Sequence, residues 1–251
     1  MIKNTRSKII EIMENKQIIS VKELASLLNV TDMTIRRNLD ELADMGFVRR
    51  EHGIAILLTP ARKTDYYTES AEHALEKQAI GRAALSFIQN DSSIAIDSGT
   101  TTQALIEQIP EDLPLSVITP SLTGAMALSQ KNNVQVLLPE GFLHHSNRSV
   151  LLSDTASLQK YHVDIAFMSC RAFRPPIGAF EMTPTLASTK IALSQIATRI
   201  ILLADFSKWG INALCNTLPM QKIDVIITDN KAPESMIRYC REQKKEVLIA
   251  N

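Results

Sequence analysis

Two rhythms of apolar and polar residues divide the chain. Up to about residue 60 the apolar positions recur at helical spacing, whereas beyond residue 92 they arrive in short continuous runs. In 5–16, Ile9, Ile12 and Met13 share one face of a predicted helix, with Lys and Glu opposite. "ISVKEL" predicts the start of a second. Ser20 is placed to accept from the N–H of Glu23, the Glu23 carboxylate to reach back to Ser20, and Ile19 with Leu24 to staple the turn. Leu24, Leu27 and Leu28 continue the stripe until Asn29 ends it. "VTDMTIRRNLDELADMG" predicts a third helix, capped by Thr31 and stapled by Val30 and Ile35, with Ile35, Leu39 and Leu42 facing inward. Its outer face carries Met33, Arg37, Asp40 and Asp44, flanked by Thr34 and Arg36. Gly46 closes it, and "FVRREHGIAILL" alternates as a short hairpin turning near His52-Gly53.

"TPARKTDYYTES" breaks the rhythm with a proline and a polar run, and reads as a linker over 59–70. An amphipathic helix follows in "AEHALEKQAIGRAALSFIQ". Then come "SIAID", "LSVIT", "VQVLLP", "VDIAFMS", "RIILLAD", "DVIITD" and "EVLIAN", with helical patterns at 100–109, 121–130, 186–197 and 232–242. Short apolar strands alternating with helices predict a mainly parallel sheet covered on both faces. The fold class is therefore α/β, in three parts. Residues 1–58 form a small winged helix-turn-helix, 59–70 the linker and 71–251 a larger α/β domain.

Charge sharpens the reading of the head. Lys and Arg number 27, equal to Asp and Glu, and residues 1–60 hold nine basic against eight acidic. Any grip on DNA must come from where charge sits and from a dimer that doubles it. The third helix is polar or basic in its first two turns and acidic in its last two. Entry into a groove by its N-terminal end keeps Asp40 and Asp44 away from phosphates, as for the second helix of a helix-turn-helix. The candidate DNA contacts are Thr31, Met33, Thr34, Arg36 and Arg37 on the helix, with Arg49, Arg50 and His52 on the wing. A protein-binding or dimerising module is the plainer reading of the same pattern.

The three cysteines form no CxxC pair and His144-His145 lacks ligand spacing, so neither a disulfide framework nor a metal site is expected. No apolar run approaches the roughly 18–20 residues of a membrane span. A cytoplasmic protein without cofactor is expected.

Ligands of open α/β sheets sit beyond the carboxyl ends of the strands. There this chain places Asp97-Ser98-Gly99-Thr100-Thr101-Thr102, Pro139-Glu140-Gly141, Ser169-Cys170-Arg171 and Asp205-Phe206-Ser207-Lys208. Gly99 lets backbone approach closely, and the threonines offer hydroxyls and helix-start N–H groups that favour an anion. Asp97 is an acceptor for a sugar hydroxyl or a lysine, Glu140 a second hydroxyl acceptor, and Lys190 and Lys208 the countercharge. Such a site suits a ligand with phosphate at one end and hydroxyls at the other. A capped turn and solvated lysines are the plainer alternative.

"TIRRNLDELADMGFVRREHG", together with "EKQAIGRAALSFI", "IDSGTTTQAL", "LSVITPSL", "STKIALSQIA", "ILLADFSKWG" and "IDVIITD" in that order, resembles the DeoR/GlpR-type bacterial transcription regulators over nearly the whole chain. The resemblance implies a larger domain similar in fold to pentose-phosphate isomerases and CoA transferases, and repression relieved by a phosphorylated sugar. It implies an effector site of Asp97, Gly99, Thr100, Thr101, Glu140, Gly141, Lys190, Asp205 and Lys208. Departures from the family pattern are Asn38, Gly53-Ile54, Pro120 and the bulky "SCRAFRPPIGAFE", in which either Arg171 or Arg174 adds a phosphate contact or the segment narrows the pocket. The expected protein is an effector-controlled repressor, a homodimer or tetramer on operator DNA. The rival readings are a constitutive DNA-binding protein whose α/β domain only oligomerises, and a sugar-phosphate enzyme with Glu140 or Asp205 as base.

Overall fold

Ser20 begins the second helix as its sequence predicts, and around it the head assembles. The computed structural model describes residues 5–16, 18–44, 48–51, 53–57 and 66–251. The chain divides into two compact units, Met1–Arg62 and Lys63–Asn251. In the first, helix α1 (Thr5–Asn15) leads through strand β1 (Ile18–Ser20) to α2 (Val21–Leu28), α3 (Asp32–Asp44), β2 (Val48–Glu51) and β3 (Ile54–Leu57). Ser20 Oγ accepts from Glu23 N at 3.1 Å. The Glu23 carboxylate does not close the expected box; it accepts from Lys16 Nζ at 2.6 Å. A lysine ammonium is a stronger partner for it than a neutral amide. Asn29 ends α2 in the left-handed conformation (φ 51°), and Thr31 Oγ1 accepts from Thr34 N at 3.2 Å. Ile9, Met13, Ile19, Leu24, Ile35, Leu39 and Leu42 are buried together beneath the sheet.

That sheet has three strands in the order β1-β3-β2, all antiparallel. The sequence predicts the β2–β3 hairpin but not β1, three residues too short to show a period. Gly53 turns the hairpin at φ +85°, where a side chain would be strained. His52 and Gly46 lie outside the described residues, as does 59–65 of the expected linker. Its remainder is not linker but the start of helix α4 (Tyr66–Ala71).

The second unit continues with α5 (Ala74–Leu85), β4 (Ser92–Ile96), α6 (Thr100–Gln108), β5 (Leu115–Ile118), α7 (Leu122–Leu128) and β6 (Val134–Leu137). A hairpin of β7 (Gly141–His144) and β8 (Ser149–Leu152) precedes β9 (Val163–Ser169). Then follow β10 (Ala172–Arg174), β11 (Gly178–Glu181), α8 (Pro184–Gln195), β12 (Ala197–Leu203), β13 (Cys215–Pro219), β14 (Val225–Asp229), α9 (Glu234–Glu242) and β15 (Glu246–Ala250). Seven strands form a parallel sheet in the order β15-β14-β12-β9-β4-β5-β6. Both faces are covered, so alternate residues of one strand enter different cores. Ile165 and Phe167 pack with Ile94 and Ile96 on one face, and Ala166 and Met168 with Leu202 and Ile226 on the other.

The strand order locates the site. From β4 the chain runs outward through β5 to β6, then returns to lay β9 on the other side of β4 and continues outward through β12, β14 and β15. The reversal falls between β4 and β9, whose carboxyl ends carry Asp97 and Ser169. A crevice at this switch point is where such sheets bind ligands.

Candidate functional site

Asp97 follows β4 and is fully buried. Its Oδ2 accepts from Ser169 N at 2.8 Å and its Oδ1 from Ser169 Oγ at 2.9 Å, which joins the two strands at the switch point. Gly99 makes this approach possible: a Cβ there would lie 2.0 Å from Ser169 Oγ. Thr102 Oγ1 accepts from Gly99 N at 2.9 Å and donates back to the Asp97 carbonyl at 2.9 Å, fixing the loop as α6 begins. The N–H groups of Thr100, Thr101 and Thr102 find no protein acceptor among the described residues. They form a buried helix first turn with N–H donors to spare, the arrangement that attracts anions.

Lys190 departs from its expected part. It is buried, and its Nζ donates to Asp97 Oδ2 at 2.8 Å, Glu181 Oε1 at 2.7 Å and the Ser169 carbonyl at 2.8 Å. An ammonium has three donors, so none is left for a ligand. Burial works to lower its pKa, but Asp97 and Glu181 outweigh burial and hold it above the usual lysine range. Lys190 therefore holds Asp97 and Glu181 in place rather than offering charge outward. Glu181 has no local sequence signal; only the α8–β11 approach brings it here.

Two other cations share a carboxylate beyond the ends of β9 and β12. Arg171, just past β9, and Lys208, in the turn after β12, both contact Glu69 of α4, at 2.9 Å and 3.1 Å to its Oε1. Burial raises the pKa of Glu69, yet Lys208 and Arg171 overcome it and hold the carboxyl below its usual range. Lys77 of α5, buried, donates its Nζ to the Glu69 carbonyl. Burial pushes the Lys77 pKa down, with Asp205 opposing. Asp205 caps the Lys208 turn through Ser207 N at 3.0 Å, while its Oδ2 is buried with no hydrogen-bond partner. Neither Glu69 nor Lys77 stood among the expected site residues, because each meets its partners only through the fold. Cys170, beside Arg171, is a core thiol pushed up to about 12 by burial.

Glu140 and Gly141 make no hydrogen bond or ion pair with this cluster. Glu140 is exposed beyond the edge strand β6, and no hydrogen bond or ion pair joins it to Asp97. Gly141 opens β7, where a Cβ would meet the Leu151 carbonyl at 1.9 Å, so hairpin packing demands that glycine. Arg174 binds Asn212 Oδ1. A groove of ≈470 Å³ lined by Thr155, Lys160, His162 and Gln195 opens near the start of β9, the end remote from Ser169. Among the described residues no group of His, Cys, Asp or Glu could hold a metal ion.

On the head, Thr31, Met33, Thr34, Arg36 and Arg37 are exposed at and just after the start of α3. Arg37 lies 3.7 Å from Glu41, which also accepts from Arg6 at 2.7 Å. Arg50 is not free for phosphate as expected: it pairs with Asp40 of α3. That contact neutralises an acidic residue on the outer face of the helix. Arg49 sits on β2, opposite Ile56 in register.

A three-helix head with a wing, followed in one chain by an α/β unit whose strand order reverses between β4 and β9, defines a two-part DNA-binding transcriptional regulator. The DeoR-like helix-turn-helix domain model matches residues 6–61 and the DeoR C terminal sensor domain model residues 72–230, so the chain belongs to the DeoR family. It is 29% identical to an uncharacterized HTH-type transcriptional regulator, YulB, of Bacillus subtilis, over 98% of this chain and 96% of that one. To the glycerol-3-phosphate regulon repressor of Escherichia coli it is 27% identical, over 92% of each. Ribose 5-phosphate isomerase A from Neisseria gonorrhoeae is similar over 54% of this chain and 53% of that one, at 14% identity and a TM-score of 0.41. No helix among the described residues is long and apolar enough to cross a membrane.

Proposed function

We propose that this protein is a homo-oligomeric repressor of a carbohydrate-metabolism operon, and that a phosphorylated sugar in the β4–β9 crevice relieves repression. One observation carries the reading. The first turn of α6 with its spare N–H groups, the Arg171–Lys208 pair and the unpartnered Oδ2 of Asp205 follow the carboxyl ends of β4, β9 and β12, around the point where the strand order reverses. The amides and cations suit a phosphate. The buried orphan acceptor suits a sugar hydroxyl, since such an oxygen costs about 1–3 kcal/mol until a donor reaches it. A repressor among the relatives named for a sugar-alcohol phosphate supports the ligand class. In this reading α3 enters the major groove by its N-terminal end, with Thr31, Met33, Thr34, Arg36 and Arg37 at the bases and backbone, and the wing residues Arg49 and His52 beside it.

Thermal unfolding with a panel of phosphorylated sugars and their unphosphorylated parents tests the effector. A sugar phosphate at 100 times its dissociation constant stabilises the fold by about 2.7 kcal/mol, and the parent sugar does not. A panel without any shift overturns the reading.

A further inference from the structure

The two cations offered to the effector are already bridged by one carboxylate oxygen. Glu69 Oε1 lies 2.9 Å from Arg171 and 3.1 Å from Lys208, contacts that span 102 and 139 residues of sequence. The three side chains are 26%, 15% and 11% exposed, so the cluster is neither a solvated surface pair nor sealed from solvent. Arg171, Lys208 and Lys77, which lies beneath the α4 backbone, outnumber the carboxylates Glu69 and Asp205, so an excess of positive charge remains. A single oxygen shared between a guanidinium and an ammonium is also how a phosphate oxygen would sit there. The carboxylate comes from α4, the first described helix after the residues that join the two units. Besides Glu69 and the Lys77 contact, α4 is held by Tyr66, whose hydroxyl pairs with Thr123 Oγ1 at 3.0 Å, and by Tyr67, whose ring lies 5.2 Å from the Arg148 guanidinium.

We propose that Glu69 is a resident stand-in for the effector's anionic group: it holds the Arg171–Lys208 pair in the empty state, and an incoming anion displaces it and loosens α4. This rests on the crevice being the effector site, and it names how occupancy reaches the chain leading to the head. A ligand shifts an equilibrium only through a differential contact. Here the contact is the same pair of cations, engaged by Glu69 in one state and by the ligand in the other. The resident carboxylate lowers apparent anion affinity by the fraction of molecules in which the pair is free.

The test titrates inorganic phosphate into the full chain by calorimetry, for wild type, Glu69→Gln, Lys208→Gln and the double variant. Glu69→Gln keeps the side-chain shape and removes the competing charge, so phosphate binds roughly tenfold tighter than to wild type, and adding Lys208→Gln cancels the gain. A measurement on the unmutated protein runs alongside it: hydrogen exchange of the α4 amides quickens when phosphate is added, while that of β9 does not. Equal phosphate affinity in wild type and Glu69→Gln, with α4 exchange unchanged, overturns the proposal and leaves the crevice as an anion site. Sugar-phosphate stabilisation without any phosphate effect on α4 also overturns it. If no sugar phosphate stabilises the protein, the effector reading fails and the competition falls with it.

Discussion

Lys190→Met replaces the buried ammonium at the β4–β9 junction with an apolar chain of similar length. In the wild type Lys190 satisfies two buried carboxylates at 2.7–2.8 Å, with side-chain exposures of 6% for Lys190, 0% for Asp97 and 8% for Glu181. Removing one partner of a buried ion pair costs about 3–5 kcal/mol, because an uncompensated charge stays behind. Two carboxylates are orphaned here, which pushes the cost up. Asp97 keeps the Ser169 amide and hydroxyl, which holds it down. About 3–5 kcal/mol is therefore expected, a fall in Tm of roughly 6–20 °C for a unit of this size.

Trp209, the chain's one tryptophan, is buried in the second unit, so its fluorescence during urea unfolding reports that unit alone. The pH dependence has a definite sign. The folded-state pKa of Lys190 is raised, so its contribution is fully present below the unfolded value of about 10.4 and is lost only as pH climbs through the folded one. The gap between wild type and variant should be flat from about pH 6 to 9. Lys190→Met with Asp97→Asn should recover part of the loss. A gap under about 1 kcal/mol at neutral pH, or one that varies between pH 6 and 9, would refute the account of Lys190 as an internal clamp.

Gly99→Ala places a methyl 2.0 Å from Ser169 Oγ, so the β4–β9 junction must shift. We expect a loss of about 1–3 kcal/mol in Trp209-monitored unfolding and a weakened sugar-phosphate response; wild-type behaviour would mean the approach is not required. Arg36→Ala with Arg37→Ala should abolish specific operator binding in a footprint while the circular dichroism spectrum is kept, since both are exposed and the α3 core face is untouched. Unaltered footprinting would end the groove-entry assignment. Thiol labelling near pH 8 should reach the half-buried Cys215 first, because burial holds Cys170 at about 12 and Cys240 at about 11. Early modification of Cys170 would contradict its core placement.

Local pattern carried the sequence reading a long way. The Ser20 and Thr31 caps, the Asn29 stop and the inward Ile35, Leu39 and Leu42 all depend on neighbours within a helical turn, and the structure has them as the spacing predicts. Runs such as "VDIAFMS" correspond directly to strands because the sheet is buried on both faces. Short antiparallel pieces escaped: β1, the β7–β8 hairpin and the β10-β11-β13 sheet are three to five residues each, and pairing rather than period defines them. Charge partners escaped for the same reason. Asp97 and Lys190 were legible as site residues, but their pairing was only one option beside a ligand, and Glu181 and Glu69 reach the crevice from β11 and α4 through tertiary packing. Hence Lys190 was expected to face outward and Arg50 to be free, whereas each has a carboxylate of its own.

The central claim is that occupancy of the β4–β9 crevice changes the grip of the heads on DNA. The most direct measurement is fluorescence anisotropy of DNA from upstream of the protein's own gene, at fixed salt, titrated with phosphorylated sugars. The account predicts that at least one sugar phosphate, and not its parent sugar, weakens binding by roughly 5- to 150-fold, the range of a coupling of about 1–3 kcal/mol, and that Lys208→Gln blunts the effect. Operator affinity that stays constant across the whole panel, in a protein that still binds the DNA specifically, would contradict it.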